Sequence, residues 1–133
     1  VERRRQAKAL AFGGHYSPVD WPPAEAFREM QRAPDYRKDL DLFMVAPDGE
    51  YVAFCTMWLD EVNGYGNFEP VGTHVEYQGQ GLGRMLLMDG FRRMAERGIE
   101  KSYMDPGVGF YQRIGFEPMG NRYYPWIKYL NHP

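Results

Sequence analysis

The stretch EYQGQGLGRML, Glu76 to Leu86, sets three glycines, Gly79, Gly81 and Gly83, directly before a helix-like apolar pattern. Glycine in a loop that opens a helix marks a backbone with positive φ or a close approach by another group. An anion is one such group. Several N–H groups of such a turn can converge on it, and the helix N-terminus adds roughly half a unit of positive charge. Arg84 adds a full charge in the first turn. Spacing excludes two phosphate loops. In a dinucleotide fingerprint the sixth residue counted from Gly79 would be glycine, but it is Arg84; in a nucleotide P-loop lysine and a hydroxyl residue would follow the last glycine, but Leu82 and Arg84 follow Gly81 and Gly83. Gln-x-x-Gly-x-Gly, from Gln78 to Gly83, remains, either as an anion loop or as a glycine-rich turn without a ligand.

The flanking segments define the fold class. Leu82 to Arg97 reads as an amphipathic helix with Leu87, Phe91, Met94 and Ala95 on one face, ended by Gly98. Before the loop, Asp39 to Ala46 and Tyr51 to Leu59 form a hairpin about Pro47, Asp48 and Gly49; a looser turn then leads to a third strand, Phe68 to Val75. Pro70 cannot donate to a ladder and Gly72 weakens it, so a bulge or an unpaired edge is expected there. After the helix come a short strand, Ile99 to Met104, a brief helix through PGVGFYQRI (106–114), and a last hairpin from Phe116 to Met119 and Tyr123 to Leu130. Two helices, Glu2 to Phe12 and Pro23 to Ala33, precede everything. The order predicts an α/β (α+β) fold: a mixed, mostly antiparallel sheet with flanking helices, in which Phe68 to Val75 runs parallel to Ile99 to Met104.

A chain of 133 residues fits a single domain. A net charge of -2 and a pI near 5.9 supply no field for nucleic acid, and the ERRR run at Glu2 to Arg5 is too short to change that. The longest apolar run, Tyr51 to Leu59, falls well short of the ~20 residues of a membrane-spanning helix, so no membrane is expected. The lone cysteine, Cys55, lies inside that run; it reads as a buried apolar side chain and is consistent with a cytoplasmic location. No metal site is expected.

QGQGLGRMLL (Gln78–Leu87), VGTHVEY (Val71–Tyr77) before it and FYQRIGFEP (Phe110–Pro118) after it together resemble the GCN5-related N-acetyltransferase superfamily, in matching order and spacing from the second helix onward. The resemblance implies an acetyl-CoA-dependent N-acetyltransferase. It places the pyrophosphate on Gln78, Gly79, Gln80, Gly81, Leu82, Gly83 and Arg84. It splays Phe68 to Val75 from the following parallel strand, where the free edge can pair with the pantetheine amides. It also points to backbone N–H groups of Val71 or Thr73 as polarisers of the thioester carbonyl, and to Tyr111 as the acid; otherwise Tyr111 is an aromatic anchor between Phe110 and Phe116.

For the base, Glu69 shares a strand face with Val71 and Thr73 if the alternation survives the bulge; His74 and Glu76 compete, each read as a solvated surface residue. The resemblance implies a small-molecule or peptide amine as acceptor. Its site would be lined by His15, Tyr16 and Trp21 and by Tyr123, Tyr124 and Trp126, unless these aromatics only pack the core and edges. Two departures from the family stand out. DPGVG (105–109) replaces a stretch where many members carry an asparagine, and the family's first strand is missing. With Val1 in place of methionine, the expectation is a trimmed chain or part of a longer one, whose open sheet edge pairs with a second copy or a covalently linked domain. A non-catalytic acyl-CoA-binding or pairing module is the alternative to an enzyme.

Overall fold

A computed structural model of the chain describes residues 1–13, 17–104 and 109–117. Helices α1 (Glu2–Phe12) and α2 (Ala24–Arg32) come first, then strands β1 (Asp41–Val45), β2 (Tyr51–Asp60) and β3 (Tyr65–Thr73), helix α3 (Leu82–Ala95), strand β4 (Lys101–Tyr103) and helix α4 (Gly109–Ile114). The sheet has the order β1-β2-β3-β4; its first two pairings are antiparallel and the third is parallel. This is the mixed architecture expected from the sequence, with β1 at one edge. Of the last hairpin only Phe116 and Glu117 are among the described residues, and neither is in a strand; the rest lies outside them.

The third strand begins earlier than its composition suggests. Tyr65, Gly66 and Asn67 belong to β3, and it is they that pair with Lys101, Ser102 and Tyr103. From Phe68 onward β3 has no pairing with β4, so the splay falls where Pro70 and Gly72 were expected to loosen the ladder. On the other side the register jumps from Met57 opposite Phe68 to Cys55 opposite Val71. Three steps along β3 match two along β2, so one extra residue is accommodated at Glu69 and Pro70, a β-bulge opposite Thr56.

The bulge inverts the alternation. Phe68 faces α3, its ring edge-on to Phe91 at 5.2 Å, while a Cβ on Gly72 would press on Ala11 of α1 and on Phe54. Val71 packs with the α3-side core, and Thr73 Oγ1 approaches Gly83 on α3. Glu69 follows Phe68 and therefore lies on the α1 side. The expected sharing of one face by Glu69, Val71 and Thr73 is corrected: the extra residue separates them.

The core lies between α3 and the strands, where Leu86, Leu87 and Met94 meet Ala53, Cys55, Met57 and Phe68. Ala95, expected on this face, is exposed, and Gly90 is buried instead. A Cβ on Gly90 would lie 2.5 Å from Phe68 Cε1 and 2.9 Å from Met57 Sδ, so the absent side chain sets the helix-to-sheet distance. Gly90→Ala therefore overpacks the centre, despite alanine's better helix propensity, and lowers stability by about 1–3 kcal/mol, as a urea melt would measure.

On the opposite face α1 and α2 are held by a buried polar cluster. Arg4 is ion-paired with Asp41, and its Nη2 donates to Thr56 Oγ1 at 2.7 Å; Tyr36 Oη and Thr56 Oγ1 donate to Asp41 at 2.7 and 2.8 Å. Burial and the Asp41 carboxylate push the Tyr36 phenol up to about 12. Of the ERRR run, Glu2 and Arg3 are exposed and Arg4 alone is buried. Arg4 is buried between the Phe27 and Phe43 rings, tying both helices to β1 and β2.

Candidate active site

Three elements meet at Gly83. A Cβ there would lie 3.2 Å from Phe110 Cζ on α4 and 3.3 Å from Thr73 Oγ1 at the end of β3. The end of the bulged strand, the start of α3 and the tyrosine-bearing helix therefore converge on one point. Gly83 is small because of that close approach. Gly79 and Gly81 differ: their φ values are +76° and +82°, and a Cβ on either meets nothing within 4 Å. The loop is left-handed at two positions and open in front.

The backbone donors of this loop suit an anion. Gly81 caps α3 without any side-chain hydrogen bond, and no acidic residue lies in the first turn. The N–H groups of Leu82, Gly83 and Arg84 precede the first intrahelical bond, from Met85 N to Gly81 O, and have no partner among the described residues. Arg84 is exposed beside them, its Nη1 3.5 Å from the Arg113 carbonyl on α4. The Gln78 side chain does different work. Its Nε2 donates to the Thr73 carbonyl at 3.2 Å, lashing the loop to β3.

Along β3 the hydrogen-bond phase decides which amides are available. His74 N donates to Val52 O at 2.9 Å, and residues two apart along an antiparallel strand share the same bonding side, so Gly72 also turns toward β2. Val71 and Thr73 alternate with them, and their N–H and C=O groups turn the other way, into the gap that β4 leaves. Thr73 O meets Gln78 there. Tyr111 sits on α4 next to Phe110, half-buried, its ring 5.2 Å from that of Phe110 and 5.9 Å from that of Phe116. It packs as an aromatic anchor, one residue from the side chain that touches Gly83.

The candidate bases differ in setting. Glu69 is exposed on the α1 side of the bulge, and its carbonyl accepts from Trp58 Nε1 at 2.7 Å. His74 is buried, which corrects its reading as a surface residue: its Nδ1 accepts from Glu76 N at 3.0 Å and caps the single turn Val75–Tyr77. Glu76 itself is exposed. Cys55 is fully buried and its thiol is pushed up to about 12, chiefly by that burial, so it is no nucleophile.

Of the aromatic residues expected around the acceptor, His15, Tyr16, Tyr123, Tyr124 and Trp126 lie outside the described residues. Trp21 is described, with the Arg5 guanidinium 5.7 Å from its ring and Arg5 Nε donating to the Pro22 carbonyl. Sequence reasoning missed Phe110, although its place beside Tyr111 was visible. No local pattern shows that the Gln78 side chain ties the loop to the Thr73 carbonyl. No group of three His, Cys, Asp or Glu among the described residues is placed to hold a metal ion, and no helix among them is long and apolar enough to cross a membrane.

The sequence profile described as "Acetyltransferase (GNAT) family" matches residues 10–116. Two mycothiol acetyltransferases, from Corynebacterium aurimucosum and Kytococcus sedentarius, are 33% and 38% identical over 75 and 76 residues, 52% and 53% of this chain. The chain spans about a quarter of the length of those curated relatives, 24% and 25%. Among solved structures, AAC(6')-Iy in complex with the bisubstrate analogue CoA-S-monomethyl-acetylneamine superposes with a TM-score of 0.68 at 18% identity, over 96% of this chain and 90% of that one. At that identity the likeness is one of fold.

Proposed function

The chain belongs to the acetyltransferase (GNAT) family, whose cofactor is acetyl-CoA, and we propose that it transfers the acetyl group to an amine of a small molecule or peptide. One observation carries this reading: the open glycine turn, the gap-facing amides of Val71 and Thr73 and the tyrosine helix converge on Gly83. The chain's residues fit the cofactor. The turn between Gln78 and Arg84 offers left-handed glycines with empty space before them, unpartnered helix amides and a cation, which is what a diphosphate requires.

When bound, acetyl-CoA supplies an activated acyl thioester, whose C–S bond is exchanged for a C–N bond to the amine. The chain's residues have four tasks. Gly79 to Arg84 hold the diphosphate, and the free edge of β3 beyond Asn67 aligns the pantetheine arm as an added strand. The N–H groups of Val71 and Thr73 are fixed dipoles for the developing charge on the carbonyl oxygen. Glu69 takes the proton of the incoming ammonium, directly or through a water, and Tyr111 donates from its hydroxyl to the departing sulfur.

Calorimetry with acetyl-CoA followed by thiol release with a panel of amines tests this. Saturable binding and acceptor-dependent thiol release are expected. Binding with no turnover on any amine would leave only a pairing module, and absence of binding would remove the loop assignment.

A further inference from the structure

Beyond Glu69 the α1 side of the sheet continues as a partly exposed surface: Trp58, Asp60 and Asn67 are half-buried, Trp58 with the Tyr36 ring 6.3 Å from its own, and Tyr65, Lys101 and Tyr103 are exposed. Cross-strand partners point to the same face, so Trp58, Asn67 and Tyr103 form one row across β2, β3 and β4, and Asp60, Tyr65 and Lys101 form the next. Gly66, between Tyr65 and Asn67, faces α3, because a Cβ on it would meet Met94 and Leu59 at 2.9 Å. The two rows therefore face away from α3. On that side α1 sits over Phe54, Thr56 and Gly72, at the other end of β2 and β3. Tyr65 and Tyr103 stay 38% and 40% exposed, their rings edge to face at 5.5 Å.

The chemistry of this surface is aromatic and acidic. Trp58 holds the bulge by donating to the Glu69 carbonyl, and the Glu69 carboxylate has no hydrogen bond or ion pair among the described residues. At the far end Asn63 holds the Asp60 carboxyl below the usual carboxylate range, so it stays charged at neutral pH. Lys101 is the cation of these rows. Ring faces and carboxylates both attract organic cations and disfavour anions. Same-face positions along a strand are ~6.6 Å apart, so Glu69, at the splay, lies one step from the Trp58–Asn67–Tyr103 row and two from Tyr65.

We propose that this surface is the acceptor platform, and that it selects protonated amines carried on a flat or aromatic body over amines that bear a carboxylate or phosphate. The ammonium sits at Glu69, beside the gap, and the apolar body lies over Tyr103, whose ring Tyr65 braces edge to face at 5.5 Å. This rests on the acetyl-transfer reading. It names the class of acceptor that reading leaves open.

The test is calorimetric binding of 2-phenylethylamine to the full chain at pH 7, with 2-phenylethanol and phenylalanine as its neutral and carboxylate-bearing analogues. The protein is first titrated with CoA, so a failure of cofactor binding is read separately from a failure of amine binding. The amine is expected to bind more tightly than either analogue. Tyr103→Ser weakens it about 3- to 30-fold, the size of an aromatic or cation–π contact, and Glu69→Gln removes the preference for the amine over the alcohol. If Tyr103→Ser does not fold, Tyr103→Leu, which keeps the apolar bulk and removes the ring face, reads the same contact. Unchanged affinity in a folded tyrosine variant, phenylalanine binding at least as well as the amine, or no amine binding at all would overturn the proposal.

Discussion

Tyr111→Phe lowers kcat by about 10²–10⁴ and leaves the affinity for acetyl-CoA nearly unchanged, the pattern of a group whose proton matters only as the sulfur departs. The substitution removes one oxygen and keeps the ring, so the packing between Phe110 and Phe116 survives. Tyrosine titrates near ~10 and a thiol near ~8.5, so complete proton transfer to the thiolate runs uphill by roughly 2 kcal/mol, and a hydrogen bond to the developing charge is the larger part of the effect. Steady-state thiol release together with a calorimetric Kd separates the two quantities. An unchanged kcat would leave Tyr111 as the aromatic anchor its ring contacts already make it.

Gly81→Val acts on binding instead. At φ +82° a β-branched residue is strained, and its side chain enters the space in front of the α3 N-terminus. Hydrogen bonds to a charged group contribute about 1.5–3 kcal/mol each, so losing one or two raises the Kd for acetyl-CoA by about 10- to 10³-fold or more. Gly64 is an internal control. It has φ +71° in the turn between β2 and β3 and, like Gly81, no neighbour within 4 Å of an added Cβ. Gly64→Val carries similar backbone strain without touching the loop, and so lowers stability while keeping cofactor affinity. Equal affinities in the two variants would dissociate the glycine turn from the diphosphate.

The buried cluster of Arg4, Asp41, Thr56 and Tyr36 explains how a surface so close to the gap keeps its shape. Arg4 and Thr56 tie α1 and α2 to the middle of β2, directly opposite the bulge that presents Glu69. Trp58, two residues along the same face, holds that bulge from β2 through the Glu69 carbonyl. Helix docking and presentation of the acceptor side thus share one strand. Removing one partner of a buried ion pair typically costs about 3–5 kcal/mol, so variants of Asp41 report on stability before they report on chemistry.

Local sequence determined the elements and the loop. A continuous apolar run marked β2 and a 3.6-residue apolar period marked α3, Pro47 to Gly49 marked the hairpin, and glycine spacing between Gln78 and Gly83 excluded two of the phosphate loops. Proline and glycine at 70 and 72 announced an irregular β3. Each of these signals is carried by residues adjacent in the chain. What the tertiary structure alone decided involves distances across the chain: that Gly90 and Gly83 are small because Phe68 and Phe110 come up against them, that Arg4 is buried, and that Gln78 grips Thr73. The face of Glu69 belongs with these. A single inserted residue reverses a strand's alternation; Pro70 and Gly72 pointed to an irregularity in β3, but that it is a bulge, and at which residue it falls, depends on the register with β2, a distance across the chain.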